Sequence, residues 1–423
     1  MENLKVVILA LILLILLIVL GILEKKKNKK NIEKLKVRVN VNGIRGKSTA
    51  TRLITSILWE AGYHAIGKST GTAARMMFWD SPEEQEVKRQ PRGVSIGEQI
   101  KVIDKAVKYG ADALVCECMA VRPEYQSTYQ HQIIQADLTV IVNVLEDHLD
   151  EMGPTTDQIA EAFADTIPYN GAAVIPKDQY TDYFRKVAAE RNSKVFVADD
   201  AIIPQDLIDK FSYRLFPHNC AVALAAAEAL GINRKVAIQG MLKAHPDPGA
   251  LRIYNLNSSN GEYILVNAFA ANEPESSLDI WDTVSAEHPA EAANPVILMN
   301  CRPDRVDRTR QFVNDFFPKI PNATLVAIGE NTREITKAYN KKRFPNVAEY
   351  LNFEKADEEK IFDTIEPKLH GRMLICVGNI HGHGELILDK LLLKGGAPEE
   401  STMAYEQNRS RQNAEEFASG NAH

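Results

Sequence analysis

The sequence predicts an α/β protein built as an N-terminal transmembrane helix, a central phosphate-binding α/β domain and a smaller, Rossmann-like α/β domain. Three observations carry this reading. Val6 to Leu23 contains no charged or polar side chain. Val37, Val39 and Val41 alternate with polar residues, lead into Gly43-Ile44-Arg45-Gly46-Lys47-Ser48, and are followed by apolar residues at helical spacing. Beyond residue 260, short apolar runs at Tyr263–Val266, Pro295–Met299, Thr324–Ile328 and Met373–Val377 are interleaved with helical patterns, the mark of a second α/β unit.

The apolar run, as helix, is about 27 Å long, close to the hydrocarbon thickness of a bilayer. Lys25, Lys26, Lys27, Lys29 and Lys30 follow it, against Lys5 alone before it. That asymmetry places the C-terminal bulk in the cytoplasm, with the chain a single-pass protein of the cell membrane. A cleaved signal peptide fits less well, because the basic cluster lies on the wrong side and no small-x-small site follows. Residues 1–24 are thus read as the anchor and 25–36 as a basic tether.

The central domain, 37–248, begins with the strand and glycine turn. From Thr49 the residues Leu53, Ile54, Ile57, Leu58 and Ala61 recur at helical spacing until Gly62. Strand, turn, Lys-Ser and helix form the context of a phosphate loop, in which backbone N–H groups and the helix N-terminus meet an anion. Lys47 reaches the β- and γ-phosphates, and the Ser48 hydroxyl ligands Mg²⁺. The longer form of the motif wants glycine where Val41 stands, so this is the compact G-x-x-G-K-S version. The alternative is an ordinary glycine turn with a surface lysine. The loop residues taken as cofactor-binding are Asn42, Gly43, Ile44, Arg45, Gly46, Lys47, Ser48 and Thr49.

Further along, Gly67 to Thr72 reads as a second Gly/Ser/Thr loop, Pro82 to Gly93 as a polar excursion, and Ile96 to Tyr109 as a helix. Ala113 to Met119 is a buried-type strand carrying Glu117. A carboxylate among apolar neighbours is costly unless paired or metal-bound, which makes Glu117 a ligand candidate, with a salt-bridged structural role as the alternative. Leu138 to Val144 is another continuous apolar strand, and Glu146, Asp147, His148 and Asp150 stand just past it, where open α/β sheets gather their active sites. This acidic cluster is a candidate for metal or phosphate chemistry, or simply an acid-rich helix start. Helices at Thr156–Ala164, Tyr180–Glu190 and His218–Leu230 and strands at Ala172–Ile175 and Lys194–Ala198 complete the domain. Pro246 to Gly249 reads as a hinge. The second domain runs from 249 to 395, and 396–423 is polar and poor in aliphatics, a disordered tail.

Composition sets outer bounds. A net charge of −6 argues against general nucleic-acid binding. The five cysteines include no C-x-x-C pair and are read as reduced thiols.

Taken together and in order, these motifs resemble the Mur ligase and folylpolyglutamate synthetase superfamily over roughly Val37 to Leu392. The G-x-x-G-K-S loop matches the family's ATP loop, and Glu117 falls on its Mg²⁺-binding strand glutamate. Asn143-x-x-x-Asp147-His148-x-Asp150 matches its N-x-x-x-D-H-x-D signature. By this resemblance Lys47, Glu117 and His148 are catalytic, and Ser48, Glu117 and His148 hold metal. Asn219, in His218-Asn219, resembles the segment that reads adenine. Arg252 and Asn267 resemble the hinge-side arginine and the nucleotide-binding residue that opens the C-terminal domain. Substrate-side roles are implied for Asn143, Asn272, Asp304, Arg305 and His381.

Three positions depart from the pattern. Asn267 replaces an aspartate, Phe269 stands where Lys or His is usual, and Ala162 lies where many members carry a carbamylated lysine. The family's bridging ligand for a second Mg²⁺ is therefore missing there. Only the apolar run and basic stretch precede the loop, where Mur ligases have a UDP-binding domain, so a UDP-linked precursor is not expected. The branch most similar is the ligase subunits of poly-γ-glutamate synthases. What it implies is an ATP- and Mg²⁺-dependent amide ligase acting on glutamate and poly-γ-glutamate, releasing ADP and phosphate. Its implied partners are small membrane subunits of the synthase and export complex, of the PgsC/CapC and PgsA/CapA type; homo-oligomerisation is left open. The competing readings are a P-loop ATPase or kinase without a ligase step, and a non-catalytic nucleotide-binding scaffold.

Overall fold

The computed structural model describes residues 2–70, 74–87, 96–146, 149–211, 213, 215–246, 251–269, 271, 273–380 and 382–397. It divides into two compact units, Met1–His245 and Pro246–His423.

Unit 1 begins with α1, Glu2–Ile32. Its apolar part is exposed along its whole length, and it is the one helix among the described residues long and apolar enough to cross a membrane. The basic stretch is not a separate tether. Lys, Glu and Leu are good helix formers and neither Gly nor Pro falls between Ile22 and Ile32, so the helix runs on without a break. It then docks. Asn28 Nδ2 donates to the Ile133 carbonyl at 2.9 Å, Asn31 Nδ2 to Asp104 at 3.0 Å, and Lys27 pairs with the same Asp104 at 2.8 Å. With Ile32 and Leu35 buried beside them, the helix is tied to the unit at several points. Lys108, with Lys27 and Asn31, holds the Asp104 carboxyl well below the usual range.

The unit is an 8-stranded sheet made of β1 (Val37–Asn42), β2 (Ala65–Ser69), β3 (Arg75–Phe78), β4 (Ser81–Glu86), β5 (Ala113–Glu117), β6 (Leu138–Ile141), β7 (Ala172–Pro176) and β8 (Lys194–Ala198), in the order β4-β3-β2-β5-β1-β6-β7-β8. β1 lies between β5 and β6 and is parallel to both. The chain leaves β1 through α2 (Lys47–Glu60), and α3 (Glu98–Tyr109) leads into β5. Val39 and Val41 are fully buried, as their alternation requires, but so are Asn40 and Asn42 on the other face. Those amides are paired: Asn40 Nδ2 with Gln130 at 3.0 Å and Asn42 Nδ2 with Gln126 at 2.8 Å.

Two segments differ from the sequence reading. The Gly/Ser/Thr stretch from Gly67 is strand through Ser69, because Lys68 is buried and ion-paired with Glu98 at 3.2 Å; residues 71–73 lie outside the described residues. The polar excursion from Pro82 is edge strand β4 through Glu86, held by the Arg52–Glu84 ion pair; residues 88–95 are likewise outside. The hinge positions 247–249 and the tail from 398 also lie outside.

Unit 2 is a 6-stranded sheet of β9 (Arg252–Ser258), β10 (Gly261–Asn267), β11 (Val296–Cys301), β12 (Ala323–Gly329), β13 (Val347–Glu354) and β14 (Met373–Gly378), ordered β13-β12-β11-β14-β10-β9. All pairs are parallel except the β9–β10 hairpin. Apolar side chains pack on both faces, and on one of them Phe312, Phe316, Phe317 and Phe344 interlock with ring centroids 5.4 to 6.2 Å apart. Phe316→Ala removes a fully buried ring from this cluster and is expected to destabilise unit 2 by about 3–5 kcal/mol. Denaturant unfolding of the whole chain in detergent measures it; a loss below about 1 kcal/mol would mean that the ring is not packed as described.

Candidate functional site

The C-terminal ends of β1, β5 and β6 meet at one edge of the unit 1 sheet. β1 has parallel neighbours on both sides, which is where loops from adjacent strands leave in opposite directions and open a crevice. Three segments arrive there: the loop 43–46 after β1, Glu117 at the end of β5, and Asn143 just beyond β6.

The loop is shaped from inside. Asn42 Oδ1 accepts the Gly43 N–H at 2.9 Å. Asn143 Oδ1 accepts the N–H groups of Ile44 and Arg45 at 3.1 and 3.0 Å, and its Nδ2 donates to the Arg45 carbonyl at 3.0 Å. Gly43 and Gly46 have φ of 128° and 80°, which L side chains rarely adopt. A Cβ on Gly46 would also stand 2.4 Å from Asn219 Oδ1.

This bracing divides the loop in two. The amides of Gly43, Ile44 and Arg45 point inward, while those of Gly46, Lys47, Ser48 and Thr49 have no protein acceptor among the described residues. The latter are the open first turn of α2, a helix with no side-chain cap and no acid in that turn. The N–H groups left open are therefore those of the helix end rather than of the whole loop. Asn143, expected on the substrate side, spends its amide on the loop backbone, and Asn42 is likewise committed to Gly43 and Gln126.

Lys47 Nζ lies over the loop, donating to the Gly43 and Ile44 carbonyls at 2.8 and 2.9 Å. The next side chain, Ser48, donates from Oγ to Glu117 Oε2 at 2.8 Å. That oxygen also accepts the Thr70 N–H at 2.7 Å, and Glu117 is only 3% exposed. Among the described residues the partners of this buried carboxylate are a hydroxyl and one amide, and no cation is bonded to it. A hydroxyl and a carboxylate are hard oxygen donors of the kind that suit a Mg²⁺-type ion, which keeps waters and takes its other ligands from phosphates. The residues present thus fit a divalent metal. Among the described residues no group of three or more His, Cys, Asp or Glu is placed to hold one, so Ser48 and Glu117 are the donors seen. Asp147 and His148 lie outside the described residues.

On the other flank, the helix Pro217–Ala229 begins with His218 and Asn219. His218 Nε2–H donates to the Val142 carbonyl at 2.6 Å, which fixes its tautomer and ties the helix start to the strand end beside the loop. Asn219, expected to read adenine, is buried against Gly46.

In unit 2, Arg252 and Asn267 are directly paired across β9 and β10. Asn267 Oδ1 accepts the Phe269 N–H at 3.3 Å, and Arg252 Nη1 lies 3.4 Å from the Tyr254 hydroxyl. Asp304 and Arg305 sit in the loop after β11, where Arg302 grips Asp304 with two hydrogen bonds of 2.8 and 3.0 Å and holds its carboxyl below the usual range. Asn272 and His381 lie outside the described residues. Sequence reasoning missed Arg302, two residues before Asp304, and missed Gln126 and Gln130. No motif marks those glutamines; the signal was asparagine at two inward positions of a strand, each needing a partner.

Comparison with known proteins gives these features a setting. The family model described as "Mur ligase middle domain" matches residues 41–228, and "Poly-gamma-glutamate synthase CapB C-terminal domain" matches 253–393. The chain is 51% identical over 363 residues to "PGA synthase CapB" of Bacillus subtilis (strain 168), covering 85% of this chain and 91% of that one. It is 50% identical to "Capsule biosynthesis protein CapB" of Bacillus anthracis, covering 85% and 77%. Among solved structures, a Yersinia pestis bifunctional folylpolyglutamate synthase/dihydrofolate synthase complexed with AMPPNP and Mn ion superposes with a TM-score of 0.61 at 13% identity, covering 86% of this chain and 92% of that one. MurF from Acinetobacter baumannii gives 0.56 at 16% identity, covering 89% and 80%. At such low identity these two show the fold. The two family models in series, with half the residues identical across most of the curated relatives, carry the family: the chain belongs to the CapB family of poly-γ-glutamate synthases, built on the Mur ligase fold.

Proposed function

We propose that the chain is an ATP-dependent amide ligase that extends poly-γ-glutamate, activating a γ-carboxyl group as an acyl phosphate and releasing ADP and phosphate. The observation that carries this is the convergence of the uncapped α2 N-terminus, Lys47, and the Ser48–Glu117 pair on one point. They meet at the phosphate loop, where the helix end and Lys47 offer positive charge to the terminal phosphates of a nucleotide.

The reaction brings two anions together, a carboxylate and the γ-phosphate. A carboxylate oxygen forms the new bond to phosphorus while the bond to the β-bridging oxygen breaks and ADP departs. The amine of a second glutamate then adds to the acyl carbon, loses its proton, and expels phosphate. The N–H groups of Gly46 to Thr49 hold the β-phosphate. Lys47 leaves its two loop carbonyls for the β- and γ-oxygens, where an ammonium offsets the repulsion. Ser48 and Glu117 would hold a divalent cation, Mg²⁺ in our reading, which when bound neutralises phosphate charge. His148 is proposed to complete metal binding from the loop after β6. Asn219 is proposed to read adenine, with Arg252 and Asn267 as further nucleotide contacts. Asn272, Asp304, Arg305 and His381 are proposed for the glutamate side, since arginine forks suit carboxylates.

The lysine asymmetry about the apolar part of α1 supports a cytoplasmic catalytic bulk on a single-pass membrane anchor. The partners that follow are the growing polymer and small membrane subunits that pass it across the bilayer.

In purified full-length protein, ADP release is expected only with a glutamate or polyglutamate acceptor, with no AMP, and Lys47→Ala is expected to lower it by about 10²–10³-fold while thermal unfolding is unchanged. Acceptor-independent ADP release would point to a plain ATPase, and normal turnover in Lys47→Ala would sink the loop assignment. Glu117→Gln is isosteric, so it is expected to keep the fold and raise the divalent-metal concentration for half-maximal activity about tenfold or more. An unchanged metal titration with a lower melting point would return Glu117 to a structural role.

A further inference from the structure

A cationic concavity lies in unit 2, and the reaction above does not use it. The helices Val306–Gln311 and Arg333–Asn340 flank a groove of about 480 Å³ lined by Arg310, Asn314, Glu334, Lys337, Lys341 and Arg343, with Val313 and Ala338 at its floor. Four basic side chains thus face one carboxylate, on a chain whose net charge is −6.

Local pairing accounts for part of this charge only. Glu334 bridges Arg310 at 3.5 Å and Lys337 at 3.5 Å, and both cations hold its carboxyl below the usual range. Arg310 also reaches the exposed Asp307. Lys341 makes no ion pair among the described residues, and Arg343 bonds to the neutral amide of Asn314 at 3.0 Å. A helix C-terminus welcomes cations, which explains Lys337 and Lys341 taken alone. It does not explain Arg310 and Arg343, which come from other segments into the same groove, nor like charges four apart on one helical face, which repel.

We propose that this groove is a second binding site that holds the anionic tail of a glutamate polymer while the chain end reacts elsewhere. It rests on the ligase reading, which makes a long polycarboxylate the substrate. Glu334, Lys337 and Lys341 follow one another along one side of the second helix at i, i+3 and i+7, so the cations form a line rather than a cage. The lysines and Arg310 are exposed and long, Arg310 by 56% and Lys337 by 50%. Such a surface grips a repeating row of carboxylates loosely, in any register, and lets it slide. A single small anion would find no buried donor to fix it. The field is also screened by salt, so retention of the polymer depends on ionic strength.

The test uses the full chain in detergent with size-fractionated poly-γ-glutamate as the probe. Lys337→Gln, Lys341→Gln and Arg343→Gln together are expected to weaken binding of long polymer about tenfold, flatten its salt dependence, and leave glutamate-monomer-dependent turnover unchanged. Glu334→Gln is expected to act in the opposite direction and tighten polymer binding. Equal polymer affinity in all three proteins overturns the proposal, as does loss of monomer-dependent turnover in the triple variant, which would place these residues at the reacting site. Tighter binding of inorganic polyphosphate than of polyglutamate at matched charge overturns it too. Absence of acceptor-dependent ADP release in the unsubstituted chain defeats the ligase reading instead, and is read in the same preparation without reference to polymer length.

Discussion

A phosphate loop has to leave some backbone N–H groups open to an anion, so strand or helix hydrogen bonds of its own cannot hold all of it. In this protein two asparagine side chains supply what secondary structure cannot. Asn42 and Asn143 clamp the first half of the loop from below, and the open turn of α2 is left to face the anion. The rest of the site depends on that clamp. It fixes where Lys47 and Ser48 leave the backbone, and Ser48 in turn meets Glu117 only because β5 lies next to β1 in register. Val142 adds the last brace, with its N–H bonded to the Asn42 carbonyl and its carbonyl accepting from His218.

Much of this was legible in the sequence. Alternating valines before a glycine turn, and apolar residues at helical spacing after it, marked β1, the turn and α2. Glu117 stood out because a carboxylate inside ALVCECM needs a reason, and the structure gives it Ser48 and Thr70 as partners. What sequence could not separate was contact from support. Asn143 sits in a signature that resembles a substrate motif, yet its amide braces the loop; a motif records that a residue type is required, not which neighbour requires it. The same limit applies to Lys68, whose surroundings of Gly, Ser and Thr read as loop. Its strand exists because tertiary burial and Glu98 override local preference.

The basic stretch after the apolar run shows a different failure. Charge was taken as a sign of a solvated tether, but helix propensity and three docking contacts keep α1 continuous into the unit. The apolar helix is coupled to unit 1 without a break, since neither Gly nor Pro interrupts the last ten residues of α1.

The central claim is that the cations of unit 1 serve transfer of the γ-phosphoryl group to a carboxylate. Oxygen-18 placed in the acceptor's γ-carboxyl tests it directly. The account predicts that one labelled oxygen leaves with each phosphate released as the polymer grows, in step with ADP. Polymer growth with unlabelled phosphate, or with release of pyrophosphate, would contradict it.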